Sequence, residues 1–406
     1  MPADRALTGS HSPRHYGMDW LRIGAFALLI LYHVGLAFSN WPYEFKATRT
    51  YEWVAFPLLA LNAWRLSLLF AISGYASAAV FARTGGPISF LRGRLARLGI
   101  PLLFGMAVLV APQPWVWLRM AMGYDHGFAW FMTHDYFTFR NIDGIVVPSW
   151  MHLWFVVYLL AYTLVLFAIK LLPERLHTGL HRIGERVLAG PWLLPLGIAW
   201  IYAARRIPGG WSDTHDLIGD PAAHAAYLPM FLFGLLLRDS EPLRQAIARQ
   251  WKLAAVLAVI GYAVVAGYEW HFPGGIAIPD ALQEPFRIGR AMQAWGAIIA
   301  LFGIADCFWN REGRWRATLA EAVFPFYIIH QTLILLTGYW LRPFGPTPLM
   351  EFAALVAATT VGCWTFYLVG RSIDPLRPLI GLKRHTTRPQ APIEAPAGAD
   401  PEGAPG

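Results

Sequence analysis

The residue types in this sequence that carry reactive chemistry stand in apolar runs, where ionisable groups are rare. Arg22 and His33 are eleven residues apart in the run DWLRIGAFALLILYH. On a helix, about 100° per residue returns them to within roughly 20° of one face, about 16 Å apart along it. Such a face suits an anionic ligand that enters at the arginine and presents its reactive end to the imidazole. Arg65 lies in NAWRLSLLFAISGYAS, and His330 lies in FPFYIIHQTLILL with Tyr327 one turn away and Gln331 beside it. His152 opens SWMHLWFVVYLL next to Trp150. Ionisable groups held in hydrocarbon cost several kcal/mol unless paired or hydrated, which makes these residues functional candidates. Plainer roles exist for some of them: Arg22 can snorkel to headgroups, and His152 can be an interfacial residue. A further group, Arg92, Arg94 and Arg97 in RGRLARLGIP, puts Arg94 and Arg97 on one helix face. Guanidinium forks bind phosphate well; the competing reading is a topology signal that needs no ligand.

The elements that position these residues follow from composition. The 406 residues are 56% hydrophobic and 14% charged, with mean hydropathy +0.41. Soluble domains carry about 25% charged residues, so a polytopic all-α bundle is expected. A spanning helix needs about 20 mostly apolar residues. Ten candidates fall near 20–38, 54–82, 98–118, 150–169, 190–204, 223–237, 253–268, 291–309, 318–340 and 349–370. The fifth and sixth are short, Pro57 and Gly74 permit a break in the second, and Ser73 and Gly74 suit close helix packing or a break. The 33 Lys and Arg residues concentrate in alternate connecting segments, which places the N-terminus and the C-terminus in the cytoplasm. Residues 1–16 and 373–406 read as a disordered N-terminal tail and a largely disordered C-terminal tail, flanking a membrane domain at 17–372. The first apolar run has no cleavage signature.

Net charge +8 does not indicate nucleic acid, because the basic residues punctuate apolar runs rather than cluster on one soluble domain. Cys307 and Cys363 lack metal or disulfide spacing, so no metal is expected. Two outer segments pair acidic with aromatic side chains, as sugar recognition requires. One carries Asp125, His126, His134, Asp135 and Asp143, the other Trp211, Asp213, His215 and Asp216.

Five segments in order resemble the acyltransferase family 3 membrane enzymes. DWLRIGAFALLILYH resembles the opening motif, with Arg22 and His33 at the matching positions and Asp19 before them. FAISGYASA, the RGRLARLGIP run, HLWFV at His152 and FPFYIIHQ at His330 follow, with Tyr75 where the family usually has Phe. Within the family the chain looks most like the branch of the glucans biosynthesis protein C type, which modifies periplasmic glucans. The resemblance implies transfer of an acyl group, commonly acetyl or succinyl, from cytoplasmic acyl-CoA to an outward-facing hydroxyl of a glycan. It implies a multi-pass protein of the bacterial cytoplasmic membrane whose partners are acyl-CoA, a glycan acceptor and the bilayer, with acyl-CoA as co-substrate and no bound cofactor. His33 is then expected as general base on the acceptor hydroxyl, or as a covalent acyl carrier. Arg65, His330 and Tyr327 are the candidates for stabilising the oxyanion. Arg22, Arg92, Arg94 and Arg97 are expected to hold the phosphates of CoA, and His152 and Trp150 to contact substrate. The other class of function open to such a bundle is a transporter or flippase of a small anionic or glycan substrate. No internal repeat is evident to support it.

Overall fold

The computed structural model describes residues 15–208 and 214–384. Trp211, Asp213, residues 1–14 of the expected N-terminal tail and residues 385–406 of the C-terminal tail lie outside these. Among the described residues, eight helices are long and apolar enough to cross a membrane, and a bent pair makes up to nine. In chain order they are α1 (Tyr16–Phe38), the broken α2 (Ala55–Asn62) and α3 (Arg65–Phe81), α4 (Pro87–Ala121) and α5 (Met151–Leu171). Next come α6 (Glu174–Leu188) and α7 (Leu193–Ala204), bent 105° from each other. α8 (Pro221–Asp239), α9 (Glu241–His271), α10 (Asp280–Trp309), α11 (Arg316–Phe344) and α12 (Pro348–Ser372) complete the bundle. α8, with 19 residues, is not counted among these spans but occupies the place of the sixth expected one. The only β-structure among the described residues is a two-stranded hairpin, Asn141–Ile142 with Ile145–Val146.

α1 is the central helix, touching α2, α3, α10, α11 and α12. Both of its ends are closed by other parts of the chain. The Tyr16 and Gly17 amides donate to Asn310 Oδ1 at 2.9 and 3.4 Å. The Lys46 ammonium donates to the carbonyls of Leu36 and Ser39, at 3.2 and 2.8 Å, and to that of Trp41. These bonds satisfy groups that a helix cannot pair internally at its ends, and they fix α1 along its axis.

α3 and α8 meet backbone to backbone. A Cβ on Gly74 would sit 1.9 Å from the Phe231 carbonyl oxygen, and one on Gly234 1.8 Å from that of Ala71. Small residues allow this approach inside a membrane, and close packing is the role expected for Gly74. The break in the second span falls elsewhere than at Pro57 or Gly74: the helix resets at Ala63 and Trp64, so Arg65 begins α3.

Both ends of the described chain lie on one face of the bundle, the terminal face. There Arg22 donates to the Ala320 carbonyl at 2.7 Å and Arg371 pairs with Glu321 at 3.2 Å. The C-terminal tail begins as packed structure. Ile380 is buried, and Arg377 donates to the carbonyls of Lys383 and Arg371 at 2.5 and 2.8 Å. The loops after α1, α4 and α7 gather on the opposite, far face, where the Thr48 amide donates to the buried Glu351 at 3.0 Å.

Candidate active site

A cavity of about 770 Å³ opens among the far-face loops and reaches into the bundle as far as His33, Arg65, His152 and Tyr327. α1 contributes His33, the start of α3 contributes Arg65, the first turn of α5 contributes His152, and α11 contributes Tyr327. His330, one turn beyond Tyr327, is fully buried behind them and meets His33 Nδ1 through its Nε2 at 3.2 Å.

With each imidazole carrying a single N–H, the hydrogen bonds of this cluster have one consistent assignment. His330 Nδ1 lies 2.7 Å from the Tyr327 carbonyl oxygen. A carbonyl only accepts, so Nδ1 is the donor and Nε2 of His330 is left as the acceptor. His33 must therefore donate from Nδ1, which leaves the lone pair on its Nε2. His152 follows the same logic. Its Nε2 donates to the Tyr327 carbonyl at 3.1 Å, and its Nδ1 accepts from Gln113 Nε2 at 3.1 Å. The second Gln113 amide hydrogen goes to Thr332 Oγ1 at 2.8 Å, and Thr332 donates to the Leu109 carbonyl at 2.7 Å. The Tyr327 hydroxyl donates to the His152 carbonyl at 2.5 Å. Such outer partners fix the tautomer and the orientation of a working histidine.

This accounting changes the parts expected of two residues. His330 has one nitrogen on a carbonyl and the other accepting from His33, and the Tyr327 proton is committed to His152. In this structure neither has an N–H or O–H without a partner. Arg65 is different. Its guanidinium lies 3.4 Å from the Tyr32 ring centroid, and its buried Nε and Nη1 have no hydrogen-bond partner. Tyr32 is fixed in turn by the Asn62 amide, 3.0 Å from its hydroxyl, and Asn62 accepts from Arg290 at 3.0 Å.

The mouth of the cavity is aromatic and polar. Trp41, Tyr43, Glu44, Trp117 and His215 line it. His215 is held at φ 59° with its ring stacked on Trp154, centroids 4.4 Å apart. Met151, also on the lining, has φ 38°. Non-glycine residues in this region are strained, and such strain collects at working sites. Burial pushes the Glu44 carboxyl above its usual range. Trp150 does not line the cavity; its indole N–H donates to the His215 carbonyl at 3.2 Å and braces that loop. Of the acidic and aromatic loop residues described, His215 reaches the cavity. Asp135 instead accepts from Tyr124 at 2.5 Å, and His134 stacks on Trp130.

Arg22 lines a second, smaller cavity of about 220 Å³ on the terminal face, together with His15, Asp19, Tyr75, Arg83 and Arg238. Arg22 and His33 thus share a helix face, as their spacing implies, but serve cavities on opposite sides. On α3 Leu69 lines the far-face cavity and Ile72 the terminal-face one, and on α1 a rise of seven residues, about 10 Å, separates Leu29 from Arg22. Arg92, Arg94 and Arg97 line neither cavity. Arg92 and Arg97 are exposed, Arg94 is buried, and Arg97 lies against the packed C-terminal segment, its carbonyl facing Gly381.

Gln113, Tyr43 and Glu44 were not singled out by the sequence. Gln113 carried a usable signal, an amide within the expected 98–118 span; the other two carried none.

Residues 15–368 match the acyltransferase domain that defines acyltransferase family 3. The chain belongs to that family. It is a multi-pass membrane protein and a non-aminoacyl acyltransferase. The glucans biosynthesis protein C of Salmonella gallinarum (strain 287/91 / NCTC 13346) is 24% identical over 353 residues, covering 84% of this chain and 88% of that protein. The protein of the same name from Salmonella schwarzengrund (strain CVM19633) is 25% identical over 354 residues, with the same coverage. No solved structure matches the chain.

Proposed function

We propose that this acyltransferase moves an acyl group, acetyl or succinyl, from acyl-CoA on the terminal face to a hydroxyl of a glycan, such as a glucan, on the far face. The observation that carries the proposal is His33, which lines a cavity open to the far face and is held from behind by His330 through its Nδ1 at 3.2 Å. The terminal face is then cytoplasmic and the membrane is the bacterial inner membrane, in keeping with the distribution of Lys and Arg.

In this reading the acceptor hydroxyl enters through the Trp41, Trp117 and His215 rim, and His33 Nε2 takes its proton as the oxygen attacks the thioester carbonyl. Arg65, whose guanidinium side chain lines the same cavity, donates to the oxyanion. Collapse of the intermediate breaks the carbon–sulfur bond, and the His33 imidazolium returns the proton to the departing thiolate. The products are the glycan ester and free CoA thiol. The donor's phosphates rest at Arg22, Arg83 and Arg238, and its thiol arm parts the thin apolar layer that includes Ala25 and Leu68. This arrangement gives Arg92, Arg94 and Arg97 no direct phosphate contact. The test is transfer of radiolabel from acetyl-CoA and succinyl-CoA to glucan acceptors by the purified protein. Label on the glucan with wild type and none with His33→Ala supports the proposal. Equal transfer by both proteins overturns the mechanism.

A further inference from the structure

α6 does not behave as part of a span. None of its residues is buried, and it turns 105° from α7. Leu176, Leu180, Ile183 and Val187 are all exposed and follow helical spacing, which gathers them into one apolar stripe. Arg175, Arg182 and Arg186 fall within roughly 40° of one another on a separate face. An apolar stripe flanked by a cationic row is the design of a helix lying in the plane of a bilayer interface.

Beneath this helix, walled by α3, α5 and α8, is a cavity of about 610 Å³ that the acyl-transfer reading does not use. Phe81, Leu166, Leu232 and Leu236 make its walls apolar, and Lys170, His177 and His181 stand at its edge. The Lys170 ammonium lies 5.0 Å from the Phe81 ring centroid, at the point where α5 ends. His181 Nδ1 faces Glu185 at 4.0 Å, while its buried Nε2 has no partner. The lining therefore pairs an apolar interior with an edge that holds Lys170, His177 and His181, and Asp239 there is paired with Arg238 at 2.6 Å.

We infer that this cavity and α6 together bind an anionic phospholipid. One aliphatic chain occupies the apolar interior, the phosphate meets Lys170 and His181, and the Arg175, Arg182 and Arg186 row lies at headgroup level. Charge complementarity selects an anionic headgroup over a zwitterionic one, since each basic side chain near a bilayer surface contributes about 1 kcal/mol towards anionic lipid.

The test uses the full chain in detergent, titrated with phosphatidylglycerol or with phosphatidylcholine of the same chains, and reads retained lipid by native mass spectrometry. Phosphatidylglycerol is expected to be retained preferentially and to raise the thermal unfolding midpoint, as a ligand of the folded state does. Lys170→Gln, a change at a half-buried site that leaves the core untouched, is expected to weaken retention about fivefold. Leu232→Trp, which fills the cavity, is expected to abolish it. Equal retention of the two lipids overturns the inference, as does wild-type retention by Lys170→Gln. Displacement by chainless glycerol phosphate as effective as that by phosphatidylglycerol also overturns it, because the cavity would then hold no chain.

Discussion

Replacing His330 with phenylalanine removes both ring nitrogens while keeping a ring in a fully buried position. His33 Nδ1 then loses the acceptor 3.2 Å away, and the Tyr327 carbonyl keeps only the donor from His152. A net hydrogen bond of about 1 kcal/mol biases the His33 tautomer roughly fivefold. Loss of ring orientation adds to that, and comparable outer partners of working histidines contribute about 10–100-fold. We therefore predict that His330→Phe lowers kcat by about 10–100-fold with KM little changed. His33→Ala removes the base itself and should cost about 10²–10⁴-fold. Because His330 acts through His33, the double variant should be no slower than His33→Ala alone, a fully non-additive cycle. His330→Gln, which retains one donor and one acceptor, should recover part of the loss. The assay is single-turnover transfer of labelled acetyl from CoA in nanodiscs, with thermal unfolding of each variant as the folding control. Wild-type kcat in folded His330→Phe, or multiplicative losses in the double variant, would refute the relay.

Arg65→Gln removes two buried donors aimed at no protein group, and kcat should fall by about 10²–10³-fold; single-turnover rates measure it. Gly234→Leu forces a side chain into the Ala71 carbonyl, and a cost of at least about 1–3 kcal/mol should appear as a lowered unfolding midpoint in detergent. Asp220 caps α8, accepting from the Ala223 amide at 2.9 Å and from Thr214 at 2.7 and 3.0 Å. Burial opposes its ionisation, but these hydrogen bonds win and hold its carboxyl below the usual range. Its contribution is thus present above roughly pH 4 and lost as pH falls through the lowered folded value. Asp220→Ala should cost about 1 kcal/mol at neutral pH, with the gap to wild type closing in acid, as read from unfolding midpoints across pH.

The spans were legible because hydropathy needs only a local sum, and the Arg22/His33 register because a helix repeats its face over a known angle. Gly74 was legible as a packing residue for the same reason: its role is set by the bulk it lacks. Other features depend on partners far away in the chain. Gln113 works through Thr332, 219 positions away, and Tyr43 and Glu44 reach the cavity because Lys46 draws the loop back over the end of α1. The hydrogen bonds of Tyr327 and His330 could not be read from residue type, since only the folded chain brings their partners together. Arg97 was grouped with Arg22 by charge, but the C-terminal segment that occupies its surroundings reads in the sequence as disordered tail. α6 was read as a charged connection because averaging hydropathy along a chain cancels the two faces of an amphipathic helix.

In the proposed reaction a thioester presented on one face acylates a hydroxyl on the other through His33. Proteoliposomes of uniform orientation, with labelled acyl-CoA confined to the terminal face and glucan to the far face, test it directly. Wild type should give labelled glucan ester and an equal amount of free CoA thiol on the terminal face, and His33→Ala should give neither. Ester formation only when donor and acceptor share one face, or at an undiminished rate in His33→Ala, would contradict it.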